Sequence, residues 1–239
     1  MFIKKWLFTM FAKFAKALVV IICFCCVLSH AGSVMAENPE SSKDVYFQYD
    51  LERIAQYLNS LRKVSVGFIQ MGSKGEIQKG EIFISRSANS NAKKPEQGKM
   101  RVVYEAPNED FIVADGNMIQ FWDATMETQS RVLQKDNLLS FILQAPIVFS
   151  NAVKVANLER IPMSEKNTEQ LLVTLVSAKE EDAGSITLVF EDNPLKLKQW
   201  KVLDAQGVST TVSLFDMMEP ESLPSHLFVF KPPQTKKKY

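Results

Sequence analysis

The chain has 239 residues, of which 46% are hydrophobic, and it carries 28 basic and 27 acidic side chains, a formal net charge of +1. A chain so balanced lacks the basic surplus with which proteins neutralise nucleic-acid phosphates, so we expect no nucleic-acid partner. The length suits one domain with a sizeable hydrophobic core.

The first 36 residues have the pattern of a cleaved secretory signal peptide. Four lysines and no acidic residue precede an uninterrupted apolar run at residues 17–28, and Val34 and Ala36 have the spacing of a cleavage site. An uncleaved membrane anchor is the alternative, but the 12 residues of the run cannot cross about 30 Å of hydrocarbon as a helix. The sequence therefore predicts export, with residues 37–43 as a polar, flexible leader.

Cleavage would remove most of the residues that carry chemistry. All three cysteines, Cys23, Cys25 and Cys26, lie in the apolar run, and His30 follows it, which leaves His226 as the one remaining histidine. Disulfides, thiolate metal sites and cysteine nucleophiles are then excluded, and a Ser/His/Asp arrangement is not credible. Neither a G-x-G-x-x-G motif nor a P-loop occurs. We therefore predict a protein that is not an enzyme and that holds no metal and no cofactor.

After the leader, the sequence predicts an amphipathic helix from Asp44 to about residue 62. Asp44 is a suitable N-cap, and apolar residues then recur at alternating spacings of four and three. The residues of this stripe are Phe47, Leu51, Ile54, Leu58 and Leu61. Because they share one face, the helix is expected to lie on another part of the molecule.

After this helix the apolar period changes to two, which is typical of strands. Strands are predicted at 64–70, 81–85, 100–104, 111–114, 118–122, 128–133, 153–158, 171–177, 186–191, 195–203, 209–215 and 227–231. Residues 87–98, rich in Asn, Lys and Pro, are expected to form an inserted loop. About eleven short strands with local connections make a meandering antiparallel sheet, which at this size must curl or close.

Residues 136–144 interrupt the strand pattern and predict a short helix that ends before Pro146. Its apolar residues almost encircle it: Leu138, Leu139, Phe141, Ile142 and Leu143. Such a helix must be buried on several sides or must cover an apolar opening.

The faces of the sheet can be assigned from a predicted hairpin. Asp115-Gly116 is expected to form a two-residue type I′ turn between strands 111–114 and 118–122. Ile112, Ala114, Ile119 and Phe121 then share one face, and Val113, Met118, Gln120 and Trp122 share the other. By the same alternation, Met100, Val102 and Tyr104 lie on one side of their strand, with Arg101 opposite. One face of the sheet is therefore predicted to be apolar.

Two interpretations of this apolar face remain open at this point. The two helices either complete an ordinary hydrophobic core or act as a movable lid over a cavity. Periodicity alone does not separate these alternatives.

Three segments in series together carry a resemblance to a known family. The first is G-K-M-R-x-x-Y-x-x-P at 98–107, followed by I-V-A-D-G at 112–116 and F-W-D at 121–123. The second is L-V-F-E-D-N-P-L at 188–195, with Trp200 and D-A-Q-G at 204–207. The third is F-V-F-K-P-P-Q at 228–234. In this order, the three segments resemble the LolA family of periplasmic outer-membrane lipoprotein carriers, and the resemblance covers essentially the whole mature chain.

The resemblance implies a mainly β fold: an antiparallel, unclosed barrel of about eleven strands with an α-helical lid over an apolar cavity. It places the half-barrel domain at residues 44–231 and leaves 232–239 as a basic tail. It also implies a monomeric carrier in the periplasm. This carrier would accept acylated lipoproteins from an inner-membrane ABC transporter and deliver them to an outer-membrane receptor.

The resemblance also points to particular site residues. Met100, Val102 and Tyr104 match positions at which the family contacts acyl chains, and Ile112, Ile119 and Phe121 join them on the same predicted face. The lid residues are predicted to be Leu51, Ile54, Leu58, Leu138, Leu139, Phe141 and Ile142. The family has an arginine that ties the lid shut by hydrogen bonds, for which Arg86, Lys94 and Arg101 are candidates, with Arg86 favoured.

A second function class is compatible with the same fold. A periplasmic regulatory module could use the half-barrel to sense mislocalised lipids or lipoproteins. Such a protein would be expected to carry a second domain or a membrane anchor, and the sequence predicts neither. The carrier is therefore the preferred hypothesis.

Overall fold

The computed structural model of the protein describes residues 39–87, 96–134, 138–149, 153–163 and 168–233. The predicted signal peptide, most of the inserted loop and most of the basic tail lie outside these ranges. Within them, no helix combines the length and the hydrophobicity needed to cross a membrane.

Strands dominate the described part of the chain. In chain order they are β1 (Lys63–Gly72), β2 (Ile77–Ser85), β3 (Glu96–Gln97), β4 (Lys99–Tyr104), β5 (Phe111–Ala114), β6 (Met118–Asp123), β7 (Thr128–Leu133), β8 (Gln144–Ala145), β9 (Val153–Met163), β10 (Thr168–Ser177), β11 (Gly184–Glu191), β12 (Lys196–Asp204) and β13 (Ser209–Met218). The remaining elements are helices α1 (Pro39–Ser60) and α2 (Leu138–Leu143), with 3₁₀ turns at Glu181–Ala183 and Ser225–Phe228.

Eleven of the strands form one antiparallel sheet. β1 lies near its middle, followed on one side by β2, β4, β5, β6 and β7, and on the other side by β13, β12, β11, β10 and β9. β7 and β9 are the two edges, so the sheet is not closed, and β3 and β8 pair separately. The predicted mainly β, antiparallel, unclosed architecture is confirmed.

Helix α1 begins earlier than its sequence pattern predicted. It starts at Pro39 instead of Asp44, so residues 39–43, which were expected to form a flexible leader, are helical. The fixed backbone angle of proline suits the first turn of a helix, and its missing N–H needs no partner there. The apolar stripe is correct, since Leu51, Ile54, Leu58 and Leu61 are all buried.

The predicted hairpin turn was wrong in register but right in its faces. Ala114 pairs with Ile119 and Ile112 with Phe121, a shift of two residues from the expected pairing. The loop is longer because the Asp115 carboxylate accepts hydrogen bonds from the N–H groups of Asn117 and Met118, at 2.9 Å each. A shift of two leaves every side chain on its predicted face, because the period of a strand is two.

The predicted strand at 227–231 is absent from the sheet. A 3₁₀ turn and an irregular segment lie there instead, against the outer face, defined as the face away from α1 and α2. The Phe230 ring packs 5.3 Å from the ring of Phe111, and Arg101 donates to the carbonyl of Leu227 at 3.2 Å. Pro224 precedes the segment and Pro232 follows it, and proline cannot donate a ladder hydrogen bond, which disfavours a central strand here.

Candidate functional site

An apolar cavity of about 140 Å³ lies between the sheet and the two helices. Its sheet wall consists of cross-strand neighbours from β1, β2 and β4, which we call the apolar rows and number from one to three. They are Val64, Ile84 and Met100 in row one; Val66, Ile82 and Val102 in row two; and Phe68, Gly80 and Tyr104 in row three. The alternation of β1 places Val64, Val66, Phe68 and Gln70 on this one inner face.

The opposite wall and the roof are also largely apolar. Ile186, Leu197, Trp200, Val202, Val212 and Leu214 line the far wall, from β11, β12 and β13. The roof is formed by Leu58 of α1, Leu61, and Ile142 and Leu143 of α2. Polar groups reach this lining from Gln70, Arg86, Tyr104, Trp200 and Thr210. The site therefore accommodates hydrocarbon and offers few hydrogen bonds.

Row three depends on a glycine. The rings of Phe68 and Tyr104 meet edge to face, with their centroids 5.3 Å apart, directly over Gly80. A Cβ atom at Gly80 would lie 2.7 Å from the Phe68 ring and 2.0 Å from the carbonyl oxygen of Val103. The aromatic pair therefore occupies space that only glycine leaves free.

Four of the six predicted acyl-contact residues line the cavity: Met100, Val102, Tyr104 and Ile112. Ile119 and Phe121 share their face but lie further along the sheet, where they pack in the hydrophobic core without lining the cavity.

Among the predicted lid residues, Leu58 and Ile142 line the cavity. Leu51, Ile54 and Phe141 are buried in the core beside it. Leu138 and Leu139 belong to α2, and their side chains lie outside the described part of the structure.

Arg86 contacts the C-terminal end of α1. Its Nη2 donates hydrogen bonds to the backbone carbonyls of Leu58 and Leu61, and its own N–H donates to the carbonyl of Arg62 at 2.8 Å. The Nε atom is buried and has no hydrogen-bond partner among the described residues. Burial lowers the pKa of the guanidinium to about 10, so it is a cation at neutral pH.

Of the other two latch candidates, only Arg101 lies in the described part of the structure. Arg101 lies on the outer face, with its guanidinium 4.7 Å from the centre of the Phe111 ring. Lys94 lies outside the described residues.

Sequence reasoning missed an ion-pair cluster that holds the middle of α1 against the sheet. Arg53 of α1 donates to Asp192 at 3.1 Å, and Arg160 of β9 donates to Asp50 of α1 at 2.9 Å and 2.6 Å. Asp50 and Asp192 are only 1% and 2% exposed. The hydrogen bond from Arg53 lowers the pKa of the Asp192 carboxyl. The partners lie 110 and 139 residues apart, so no local pattern could have revealed them.

A further contact missed from the sequence joins the two roof segments. The Asn59 side chain donates to the carbonyl of Ile147 at 2.9 Å and accepts from the Ile147 N–H at 2.7 Å. Ile147 follows α2 closely. The side-chain amide of Asn59 therefore links the end of α1 to the α2 region through two hydrogen bonds.

An open eleven-stranded half-barrel with helices over an apolar cavity defines a protein that binds apolar ligands. The comparisons agree with this class. Residues 59–231 match the family model described as outer membrane lipoprotein carrier protein LolA. Since this match extends over most of the chain, the protein belongs to the LolA family.

The sequence identity between this chain and individual relatives is low. The chain is 26% identical over 196 residues to the outer-membrane lipoprotein carrier protein of Legionella pneumophila (strain Corby), covering 81% of this chain and 91% of that one. It is 23% identical over 220 residues to an uncharacterized protein of Rickettsia prowazekii (strain Madrid E), covering 90% and 86%. A crystal structure of a LolA superfamily protein from Nitrosomonas europaea has a TM-score of 0.40 and 11% identity, covering 77% and 97%. Proteins of this family are lipid- or lipoprotein-binding carriers of the periplasm.

Proposed function

We propose that this protein is a non-enzymatic periplasmic chaperone that carries lipoproteins and shields their acyl chains from water in the apolar cavity. One observation carries the proposal: the cavity lies between an open sheet and two helices whose side chains form its roof. Both helices lie outside the eleven-stranded sheet, so they can move without unfolding its strands once their side-chain contacts break. The alternative of a fully packed core does not explain an apolar space beneath them.

Binding is reversible because opening the roof costs free energy. Burial of each acyl methylene contributes about 0.8 kcal/mol, so two or three chains would bind almost irreversibly in a rigid, dry pocket. Opening the roof exposes apolar residues such as Leu58 and Ile142, and the cost of that exposure is subtracted from the binding free energy. The carrier therefore holds its cargo tightly enough to shield it and loosely enough to release it.

Transfer then needs no ATP on the periplasmic side. In the proposed scheme, an inner-membrane ABC transporter supplies the lipoprotein, and an outer-membrane receptor takes it because the receptor binds acyl chains more tightly than this protein does. Arg86 is the proposed latch, since its hydrogen bonds to the carbonyls of Leu58 and Leu61 must break when α1 moves.

The direct test is to express the full chain in a Gram-negative host, purify it from the periplasm and analyse the co-purified molecules by mass spectrometry. Acylated lipoprotein peptides or lipids are expected. A fluorescent fatty-acyl probe should bind the emptied protein.

A matched pair of variants on β1 tests whether the cavity is the site. Val66→Phe fills row two, whereas Ile69→Phe adds a ring to the exposed outer face of the same strand. We expect probe affinity to fall at least about tenfold for Val66→Phe and to stay unchanged for Ile69→Phe. A folded wild-type protein that takes up no acyl probe and carries no lipoprotein would contradict the proposed function.

A further inference from the structure

We propose that Gln70 and Tyr104 form a polar floor at one end of the cavity, and that this floor limits the length of acyl chain that the protein accepts. The inference rests on the proposed function and deepens it, because it names the residues that select among acyl ligands. Neither residue was assigned this role by the sequence.

The cavity has two chemically different ends. Arg86 follows β2 directly and lies beside row one, where its N–H pairs with the carbonyl of Arg62. The three apolar rows then run along β1 away from Arg86, and Gln70 is the next inward-facing residue beyond row three. From Val64 to Gln70 the strand rises about 20 Å at about 3.3 Å per residue. An acyl chain lying along β1 would meet hydrocarbon over that distance and polar groups at its end.

The polar groups at the far end satisfy one another. The Tyr104 hydroxyl donates to Gln70 Oε1 at 3.1 Å, and Gln70 Nε2 donates to Gln78 Oε1 at 3.2 Å. Gln70 is 4% exposed and Tyr104 7% exposed, so water does not replace these bonds readily. Burial raises the pKa of Tyr104, which keeps the hydroxyl protonated as a donor.

A hydrocarbon chain cannot pass this floor at low cost. A methyl group that displaced the Gln70 amide would leave buried donors and acceptors without partners, and hydrocarbon offers them none. Each methylene that reaches only as far as row three gains its full burial, whereas methylenes beyond that length must bend back or stay in water. The Gln70–Tyr104 pair therefore sets the maximum length of acyl chain that the cavity can bury.

The test measures affinity against chain length. Saturated fatty acids of increasing length compete with a fluorescent fatty-acyl probe for the purified, delipidated protein. For the wild type, affinity should rise about fourfold for each added methylene and then stop rising at one break length. In Gln70→Leu, which removes the polar floor, the break should move to longer acids, which then gain about fourfold for each further methylene. Tyr104→Phe keeps the ring and removes the donor, and should shift the break in the same direction.

Gln199→Leu is the matched control. Gln199 donates to the Ser213 hydroxyl at 2.9 Å without lining the cavity, so its replacement should leave the break length unchanged. Two results would overturn the inference: the same break length in wild type and Gln70→Leu, or an equal loss of affinity at every length, which would mean that Gln70 binds the polar head of the ligand. A wild-type protein that binds none of the acids would contradict the proposed function as well.

Discussion

At the scale of single residues, strand alternation distinguishes Arg86 from Arg101, which the family resemblance left as two candidates for the residue that ties the lid shut. Arg101 sits between Met100 and Val102, which both line the cavity, so it must point to the outer face. The alternation could therefore be used to exclude Arg101 from the sequence alone. Arg86 follows the end of β2, where alternation no longer applies, and its bonds to α1 become visible only in three dimensions.

The first prediction concerns Arg86 as a latch. Arg86→Leu removes the charged hydrogen bonds to the carbonyls of Leu58 and Leu61, each worth about 1.5–3 kcal/mol, so the closed roof competes less with the ligand. We expect the affinity for the acyl probe to rise at least about tenfold, measured by fluorescence titration. Arg86→Lys should give a smaller rise, because the ammonium keeps a charged hydrogen-bond donor at this position. Arg101→Leu is the control on the outer face, and an equal rise there would contradict the latch.

The second prediction concerns the glycine beneath the aromatic pair. Gly80→Ala places a methyl group against the Phe68 ring and the Val103 carbonyl, so the strands must shift to accept it. The free energy of unfolding should fall by about 1–3 kcal/mol, as is typical of overpacking, when measured in urea. Ser209→Ala, at an exposed strand end, should change it by less than about 0.5 kcal/mol. Equal stability of Gly80→Ala and wild type would show that the aromatic pair does not need a glycine beneath it.

At the scale of elements, the buried faces of helices and strands could be predicted, because they depend on residues a few positions apart. Contacts between residues far apart in the sequence could not be predicted. The stripe of α1 and the faces of β4, β5 and β6 follow from residues a few positions apart. The hairpin register was missed because the Asp115 side chain adds residues to the loop. The ion-pair cluster was missed because Asp50 meets Arg160 across the fold.

The third prediction uses that cluster as an anchor of α1. The hydrogen bond from Arg53 holds the pKa of Asp192 below its ordinary value of 3.8, so the contribution of Asp192 to stability is present above that value and is lost as the pH falls below it. The unfolding free energy of the wild type should therefore decrease more steeply below about pH 4 than that of Asp192→Asn, by up to about 1.4 kcal/mol per pH unit. Urea unfolding from pH 6 downwards, roughly to pH 3, measures both slopes.

The control for this anchor is Glu159→Gln, at an exposed position of β9. It should keep the acid slope of the wild type. If Asp192→Asn also keeps that slope, the Asp192 carboxylate does not stabilise the folded state through Arg53.

At the scale of the whole molecule, the first strand of the half-barrel, β1, lies in the middle of the sheet and not at an edge. β1 pairs with β2 and with β13, so the first and last strands of the sheet join its two halves. Composition and period could predict an antiparallel sheet of this size, and the family resemblance supplied its openness. The cavity could not be predicted from either, because a space of about 140 Å³ depends on how far the roof side chains reach.

The last prediction follows from that volume. A space near 150 Å³ holds a molecule of about the size of benzene, so an acyl chain cannot enter while α1 and α2 keep their present positions. Binding should displace the roof and leave the sheet in place. In hydrogen exchange, the amides of residues 56–61 and 141–147 should therefore lose protection when palmitate binds, while those of β1 and β13 keep theirs. Asn59→Ala, which unlinks α1 from Ile147, should show part of this loss without ligand. If the ligand instead protects both roof segments and loosens the open edges β7 and β9, the chain enters between strands and the helices are not the lid.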